Sequence, residues 1–303
     1  MKNKSLYKGI FFTSLASIFW GIPQPLIFNE IKFIPALEIA SHRGVWSFIF
    51  LFIIIFFFGK IKEFFLIFKN YKVIVLLSLA AILIATNWVG FVIAVSMNRV
   101  QDASMGYFLT PMVSIILGYF FLNEKISSFK FFSLLMMLFA LFFLIISLKT
   151  FPYLAILIGT SWGIYGLLKK KINISSEIGL LYETGFLSLM ALPYLFFLNY
   201  QSNSFFLQSD LKISIFLTLT GAVTVFPLFF FNAGVRYIPL GFAGVIFYLA
   251  PSFHFITSIF ILNENLSLPK LISFLIIWIA VIIFIIDVLK EEKINENNTQ
   301  SLS

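Results

Sequence analysis

The chain has no cysteine, and only 11% of its residues are charged. The first absence removes disulfides, thiolate nucleophiles and cysteine metal sites. The second removes the charged coat of a water-soluble domain, normally about a quarter of its residues. No Gly-x-x-x-x-Gly-Lys-[Ser/Thr] phosphate loop occurs, so ATP hydrolysis has no cradle. Aspartates and histidines are few and unclustered, which leaves metal-assisted chemistry without a ligand set.

What is present is apolar. Hydrophobic residues make up 60% of the 303, including 42 phenylalanines, and mean hydropathy is +1.02. Such a chain cannot hide its apolar surface in one aqueous core, so lipid is its solvent. A helix of about 20 apolar residues crosses the roughly 30 Å hydrocarbon layer. Apolar runs between polar breaks predict ten spans, at 8–28, 35–58, 72–97, 102–122, 129–148, 152–170, 177–199, 213–235, 240–262 and 269–289. Residues 1–28 end in Trp20-Gly21-Ile22-Pro23-Gln24 without a small-x-small cleavage site, and are read as a retained first span. Lys60–Tyr71 mixes lysines with Phe64, Phe65 and Phe68; it is expected to be a cytoplasmic loop, with a segment lying along the inner membrane surface as the alternative, and 290–303 is expected to be a disordered polar tail.

The net charge of +8 is topogenic and does not mark a nucleic-acid surface. With the N-terminus in the cytoplasm, fifteen Lys and Arg residues fall on the cytoplasmic side. Only Lys32, Arg99, Lys149, Lys212 and Lys270 fall opposite. The excess of positive charge inside puts both termini in the cytoplasm.

The chain repeats itself. Leu109, Pro111, Leu122-Asn123-Glu124 and Ser127 recur in the second half, all at one offset, as Leu249, Pro251, Leu262-Asn263-Glu264 and Ser267. Trp20-Gly21-Ile22 recurs as Trp162-Gly163-Ile164 at nearly the same offset. Two five-helix halves, 1–148 and 152–289, follow. Five is odd, so the second half enters the membrane from the opposite side, an inverted repeat of the kind secondary transporters use.

The Pro…Leu-Asn-Glu pattern on the penultimate helix of each half resembles the EamA repeat of the drug/metabolite transporter superfamily. Glu38-Ile39-Ala40-Ser41-His42-Arg43-Gly44-Val45-Trp46-Ser47, Asn87-Trp88, Gly106-Tyr107-Phe108, Tyr165-Gly166-Leu167 and Leu180-Leu181-Tyr182-Glu183-Thr184 are similar to its RarD branch. The resemblance spans about residues 8–289. It implies a ten-helix permease of the bacterial inner membrane with a central cavity. Members of the branch are labelled chloramphenicol-sensitivity proteins or permeases, and relatives outside it export amino acids and other small metabolites.

Ionisable residues within spans cost at least about 2.5–3.5 kcal/mol to insert and point to function. Glu38 and His42 share a face at i, i+4, with Arg43 about 100° further round. Arg43 facing a cavity would hold a carboxylate; otherwise it pairs with Glu38 near the outer interface. Glu183 follows Arg43 at the repeat offset, and together they would suit a zwitterion; otherwise Glu183 is a structural tie. Glu38, His42 and Glu183 are the candidates for proton coupling. Trp20, Gln24, Asn87, Trp88, Tyr107, Trp162, Tyr165 and Tyr248 offer amide contacts and flat walls, with the alternative for tryptophan of an interfacial anchor. His254 reads as a packing residue. Pro111 and Pro251 each free a backbone carbonyl, making either a hinge or a static bend. Glu124 and Glu264, at the membrane edge, are expected to fix helix ends or half-to-half contacts and not to touch substrate.

The sequence therefore predicts an all-α integral membrane protein that carries an amino acid or similar small zwitterion or amphiphile by alternating access. A polytopic membrane enzyme and a channel-like facilitator are the alternatives. The expected partners are the substrate, the bilayer, a proton if transport is coupled, and at most a second copy of the chain. No nucleic acid, cofactor or metal is expected.

Overall fold

The computed structural model describes residues 2–96, 100–148, 153–261 and 268–300, and every regular element among them is an α-helix. Arg99, Lys149, the second Leu262-Asn263-Glu264 motif and Ser267 lie outside the described residues. The helices are α1 (Lys2–Gly21), α2 (Pro23–Glu30), α3 (Ala36–Phe57), α4 (Ile61–Ile67), α5 (Tyr71–Ser96), α6 (Val100–Leu122), α7 (Ser128–Leu148), α8 (Tyr153–Lys171), α9 (Ser176–Tyr200), α10 (Leu211–Gly234), α11 (Leu240–Phe247), α12 (Leu249–Phe260) and α13 (Leu268–Gln300).

Among the described residues, seven stretches are long and apolar enough to cross a membrane: Lys4–Glu30, Ala36–Phe57, Tyr71–Phe91, Ser128–Ser147, Ser176–Tyr200, Leu211–Gly234 and Leu271–Lys290. The other three expected spans are helical as well: the described residues give the shorter apolar helices Leu109–Leu122 and Leu240–His254, and α8 ends in Lys169-Lys170-Lys171. The ninth span bends at Tyr248, between α11 and α12.

Two expectations are corrected. The segment Lys60–Tyr71 is not all loop, because Ile61–Ile67 forms α4, with Ile67 buried and Phe65 and Leu66 exposed. The tail expected to be disordered from 290 continues α13 as far as Gln300. Lys290-Glu291-Glu292-Lys293 is made of straight-chain residues that lose little rotamer freedom in a helix.

Helix ends follow from particular residues. Gly59 takes φ +68°, and its N–H and that of Lys60 return to the carbonyls of Phe56 and Ile55 at 3.0 Å each. This is the Schellman termination that a left-handed glycine permits. Asn123 adopts φ +55° just after α6, a conformation Asn tolerates better than other non-glycine residues. The turn delivers the Glu124 carboxylate beneath the start of α11. There Oε1 accepts from Leu240 N at 2.6 Å and Oε2 from Gly241 N at 3.1 Å. The expectation that Glu124 fixes a helix end is met. Pro23 opens α2 at its first position, where the missing N–H has no partner to lose. Pro251 lies in the first turn of α12, after the break at Tyr248, whereas α6 runs unbroken through Pro111.

Packing is inside-out. Phenylalanines such as Phe56, Phe139 and Phe196 face outward, as lipid contact requires. Small residues let central helices touch: a methyl group at Gly159 would meet the Leu109 Cβ at 2.6 Å and the Gly106 carbonyl at 2.8 Å. α6 packs along α8, and α1 along α10, α11 and α12; α3 contacts α9 and α10, and α7 contacts α13.

Candidate functional site

At the centre of the bundle lies a small cavity lined by residues of nine helices. It receives Trp20 and Gln24 from either side of the α1–α2 break, Arg43 from α3, Asn87 and Trp88 from α5, and Tyr107 from α6. Trp162 of α8, Thr224 and Leu228 of α10, Phe247 of α11, and Ala250, Pro251 and His254 of α12 complete it.

Arg43 is 3% exposed. Its Nε donates to Thr224 Oγ1 at 3.0 Å. The guanidinium carbon stands 4.6 Å from the Trp88 ring centre and 5.1 Å from that of Phe28. Among the described residues it has no carboxylate partner. Glu38, which a simple pairing would require, is engaged elsewhere: its Oε1 accepts from Phe205 N at 2.8 Å and from Ser204 Oγ at 3.2 Å. Asn87 donates its amide to the Ile158 carbonyl at 2.9 Å. The Trp162 Nε1 is buried without a partner, and His254 stacks on Tyr107 with ring centres 6.5 Å apart.

One side of the cavity is closed by aromatics. The Trp20 and Trp162 rings meet edge to face at 5.1 Å, and Phe247 lies 5.4 Å from Trp20 and 5.6 Å from Trp162. Phe231 adds a contact to Trp162 at 5.3 Å. Behind them sits a buried polar network. Lys169 donates to Glu183 Oε1 at 2.6 Å, Tyr165 donates to Glu183 Oε2 at 3.1 Å, and Asn232 donates to the Tyr165 hydroxyl at 2.8 Å. Lys169 and Glu183 are 3% and 1% exposed. Further along, Lys170 donates to Glu124 at 3.3 Å and to the Ile238 carbonyl at 2.7 Å. At the rim, Lys60 meets Glu177 at 2.6 Å, and that hydrogen bond raises the Lys60 ammonium above its usual pKa. We refer to this side, with its lysines, as the basic end.

Of the residues singled out for substrate contact, Trp20, Gln24, Arg43, Asn87, Trp88, Tyr107 and Trp162 line the cavity. Four do not. His42 turns to Phe206, with ring centres 4.9 Å apart and both nitrogens unpartnered. Tyr165 and Glu183 belong to the network behind the aromatics, and Tyr248 is buried at the α11–α12 break. Pro251 reaches the cavity and Pro111 does not. Arg43 and Glu183 are therefore not brought to one site. Thr224, Leu228, Phe247 and His254 were missed as lining residues. Phe247 is the counterpart of Tyr107 at the repeat offset, so the repeat pointed to it. Lys169, read as a topogenic surface charge, is a buried partner of Glu183.

An all-helical chain with an apolar exterior and a central polar cavity is a polytopic membrane protein of the transporter class. The EamA-like transporter family model matches twice, over residues 7–146 and 151–286, so the chain belongs to that family. The chain is 31% identical to an uncharacterized transporter, YojE, of Bacillus subtilis, over 98% of this chain and all of that one. It is 32% identical to an uncharacterized transporter of Vibrio cholerae over 93% of each. It is 30% identical to the RarD protein of Salmonella typhi, over 97% of this chain and 99% of that one. A solved crystal structure superposes with a TM-score of 0.71 at 12% identity, covering 91% of this chain and 96% of the other, which shows the fold alone. The chain is thus a RarD-type membrane transporter, multi-pass in the bacterial inner membrane.

Proposed function

We propose that the chain is a ten-span carrier, not an enzyme, that moves a small metabolite through the central cavity by alternating access. The observation that carries this reading is the meeting of repeat-related residues at the cavity. Trp20 touches Trp162 at 5.1 Å, and Tyr107 approaches Phe247 at 6.0 Å. Such contacts are expected where a two-fold axis relating inverted halves passes through the site. The pairing of helices supports the same reading: α6 lies on α8 as the ninth span lies on α1, while α3–α9 and α7–α13 are pairs of equivalent helices. The family match, falling once on each half, adds to it.

With the basic end in the cytoplasm, as the positive-inside rule favours, the cavity is closed toward the cytoplasm by the aromatics and the Lys169–Glu183 network. Inverted symmetry allows the complementary closure. The particular argument for a zwitterion required Arg43 and Glu183 to face one cavity, and that premise is absent. Among the proton-coupling candidates, Glu183 has both oxygens held, whereas Glu38 Oε2 and both His42 nitrogens are buried without a partner among the described residues.

The test uses the absence of cysteine. Ala250→Cys introduces one thiol at the cavity wall. A membrane-impermeant maleimide should label it from one face of oriented vesicles, and substrate should change the accessible face. Saturable flux in proteoliposomes, run with and without a pH gradient, should accompany it. Simultaneous labelling from both faces would indicate a channel, and absence of flux for amino acids and flat aromatic compounds alike would overturn the carrier reading.

A further inference from the structure

We infer that the central cavity selects an organic anion with a flat apolar body: a monocarboxylate or sulfonate whose charged group is held by Arg43 and whose ring lies among Trp20, Trp88 and Trp162. The inference rests on the cavity being the substrate site, and goes further by assigning the sign and shape of the substrate.

Four observations lead to it. First, Arg43 is the only formally charged side chain lining the cavity among the described residues. Second, it is incompletely engaged. Among the described residues only its Nε donates, to a neutral hydroxyl, which leaves the terminal nitrogens of a planar fork suited to bidentate contact with a carboxylate or sulfonate. Third, neither buried acid Glu38 nor Glu183 pairs with it: Glu183 is bound by Lys169, and Glu38 bonds the 204–205 segment through Oε1 while its Oε2 has no partner among the described residues. A buried cation without a counter-charge is unfavourable, and an arriving anion supplies what the fold omits. Fourth, Trp20, Trp88, Tyr107, Trp162 and Phe247 give the cavity several flat aromatic surfaces, and the Trp162 Nε1–H is buried with no acceptor among the described residues, so a second acceptor atom on the ligand has a donor waiting.

A cationic or neutral ligand fits less well. A free ammonium would sit near Arg43 with no carboxylate to face. A neutral amide would leave the guanidinium as uncompensated as it is in the empty cavity.

The experiment compares three nearly isosteric probes on the purified full-length chain: phenylacetate, phenylacetamide and phenethylamine. Binding is followed by quenching of tryptophan fluorescence in detergent. Phenylacetate should bind at least about tenfold more tightly than the amide, as a charge-assisted hydrogen bond implies, and phenethylamine least of all. The ranking is read on the unaltered protein, so it does not depend on a variant folding. Arg43→Gln should erase the preference for the acid, and Arg43→Lys should keep part of it. Equal binding of acid and amide, preference for the amine, or no binding of any probe would overturn the assignment. Uptake of benzenesulfonate, which stays ionised and does not leak through lipid, into proteoliposomes separates the two readings. Flux of other compounds without benzenesulfonate removes the anion class and leaves the carrier standing, whereas no flux of any compound removes the carrier as well.

Discussion

Arg43 gives one nitrogen to Thr224 and lays the rest of its guanidinium over the Trp88 ring. Glu183, its counterpart at the repeat offset, has both oxygens taken, by Lys169 and Tyr165. The two charges stand at corresponding positions of the two halves, one facing a cavity and the other sealed behind an aromatic layer. The difference separates two uses of a buried charge. A charge answered by the protein holds helices together, while a charge left unanswered is available to a ligand. α8 and α9 are tied at the basic end by the first kind, and α3 presents the second kind to the cavity.

The largest effect should come from unbalancing the answered pair. Lys169→Met or Glu183→Gln alone leaves a buried partner without its counterpart, and each should cost about 3–5 kcal/mol of stability. The double substitution removes both and should recover most of that loss. Thermal unfolding in detergent, followed by tryptophan fluorescence, measures it. Single variants as stable as the parent would mean that the network does not hold the bundle. In the Ala250→Cys background the double variant should also raise maleimide labelling from the basic end, because the contact joining α8 to α9 there is gone.

Arg43→Gln sharpens the comparison by going the other way. Removing an unanswered buried charge should leave thermal stability unchanged or higher, since insertion of that charge costs at least about 2.5–3.5 kcal/mol. Flux should nevertheless fall by at least about tenfold, the equivalent of one charge-assisted contact. A drop in stability like that of the Lys169 variants would make Arg43 a structural residue and erase the distinction between the two ends. A smaller effect is expected from Glu124→Gln, which weakens the carboxylate contact to Leu240 N, Gly241 N and Lys170. About 1–2 kcal/mol of stability should be lost, with substrate affinity unchanged because Glu124 is remote from the cavity.

Much of this division was legible in the residues. Arg43, Gln24 and the tryptophans stood out because polar and indole groups deep inside apolar spans need a reason to be there. The Leu122-Asn123-Glu124 motif stood out because it recurs, and the left-handed Asn123 now explains its geometry. Lys169 was hidden by its neighbours: in the run Lys169-Lys170-Lys171 nothing local distinguishes the buried lysine from the others. Its role depends on α9 bringing Glu183 within reach of it, which is tertiary information. Thr224 and Leu228 are ordinary residues of an apolar helix and carry no signal at all. His42 was grouped with Arg43 by proximity in sequence, yet the roughly 100° step of an α-helix sends the imidazole to Phe206 and the guanidinium to the cavity. The zwitterion argument failed for the corresponding reason in Glu183. Positions one repeat offset apart in sequence, Arg43 and Glu183, lie on different sides of the aromatic layer.

The smallest effect should come from the rim, where the chain holds an ion pair as short as the buried one. Lys60–Glu177 and Lys169–Glu183 both measure 2.6 Å between nitrogen and oxygen. The side chains of the first are 40% and 20% exposed, and those of the second 3% and 1%. Distance alone ranks them equal, and burial sets them apart. Water and salt screen the rim pair, whose expected worth is below about 1 kcal/mol, so Lys60→Ala should shift stability only slightly. Raising the ionic strength from about 0.15 M to about 1 M shortens the screening length from about 8 Å to about 3 Å, and should remove what remains of the difference between Lys60→Ala and the parent. The penalty of Lys169→Met should persist, because screening ions do not enter the space behind Trp162. Lys60 has its pKa raised above the usual 10.5 in the folded chain, so its contribution is complete below that value and is lost only as pH rises through the folded pKa. Stability between about pH 6 and about pH 9 should therefore carry no signature of Lys60. A large, salt-insensitive loss in Lys60→Ala would show that the rim contact is a structural tie in its own right, and that exposure is a poor guide to which charges this fold relies on.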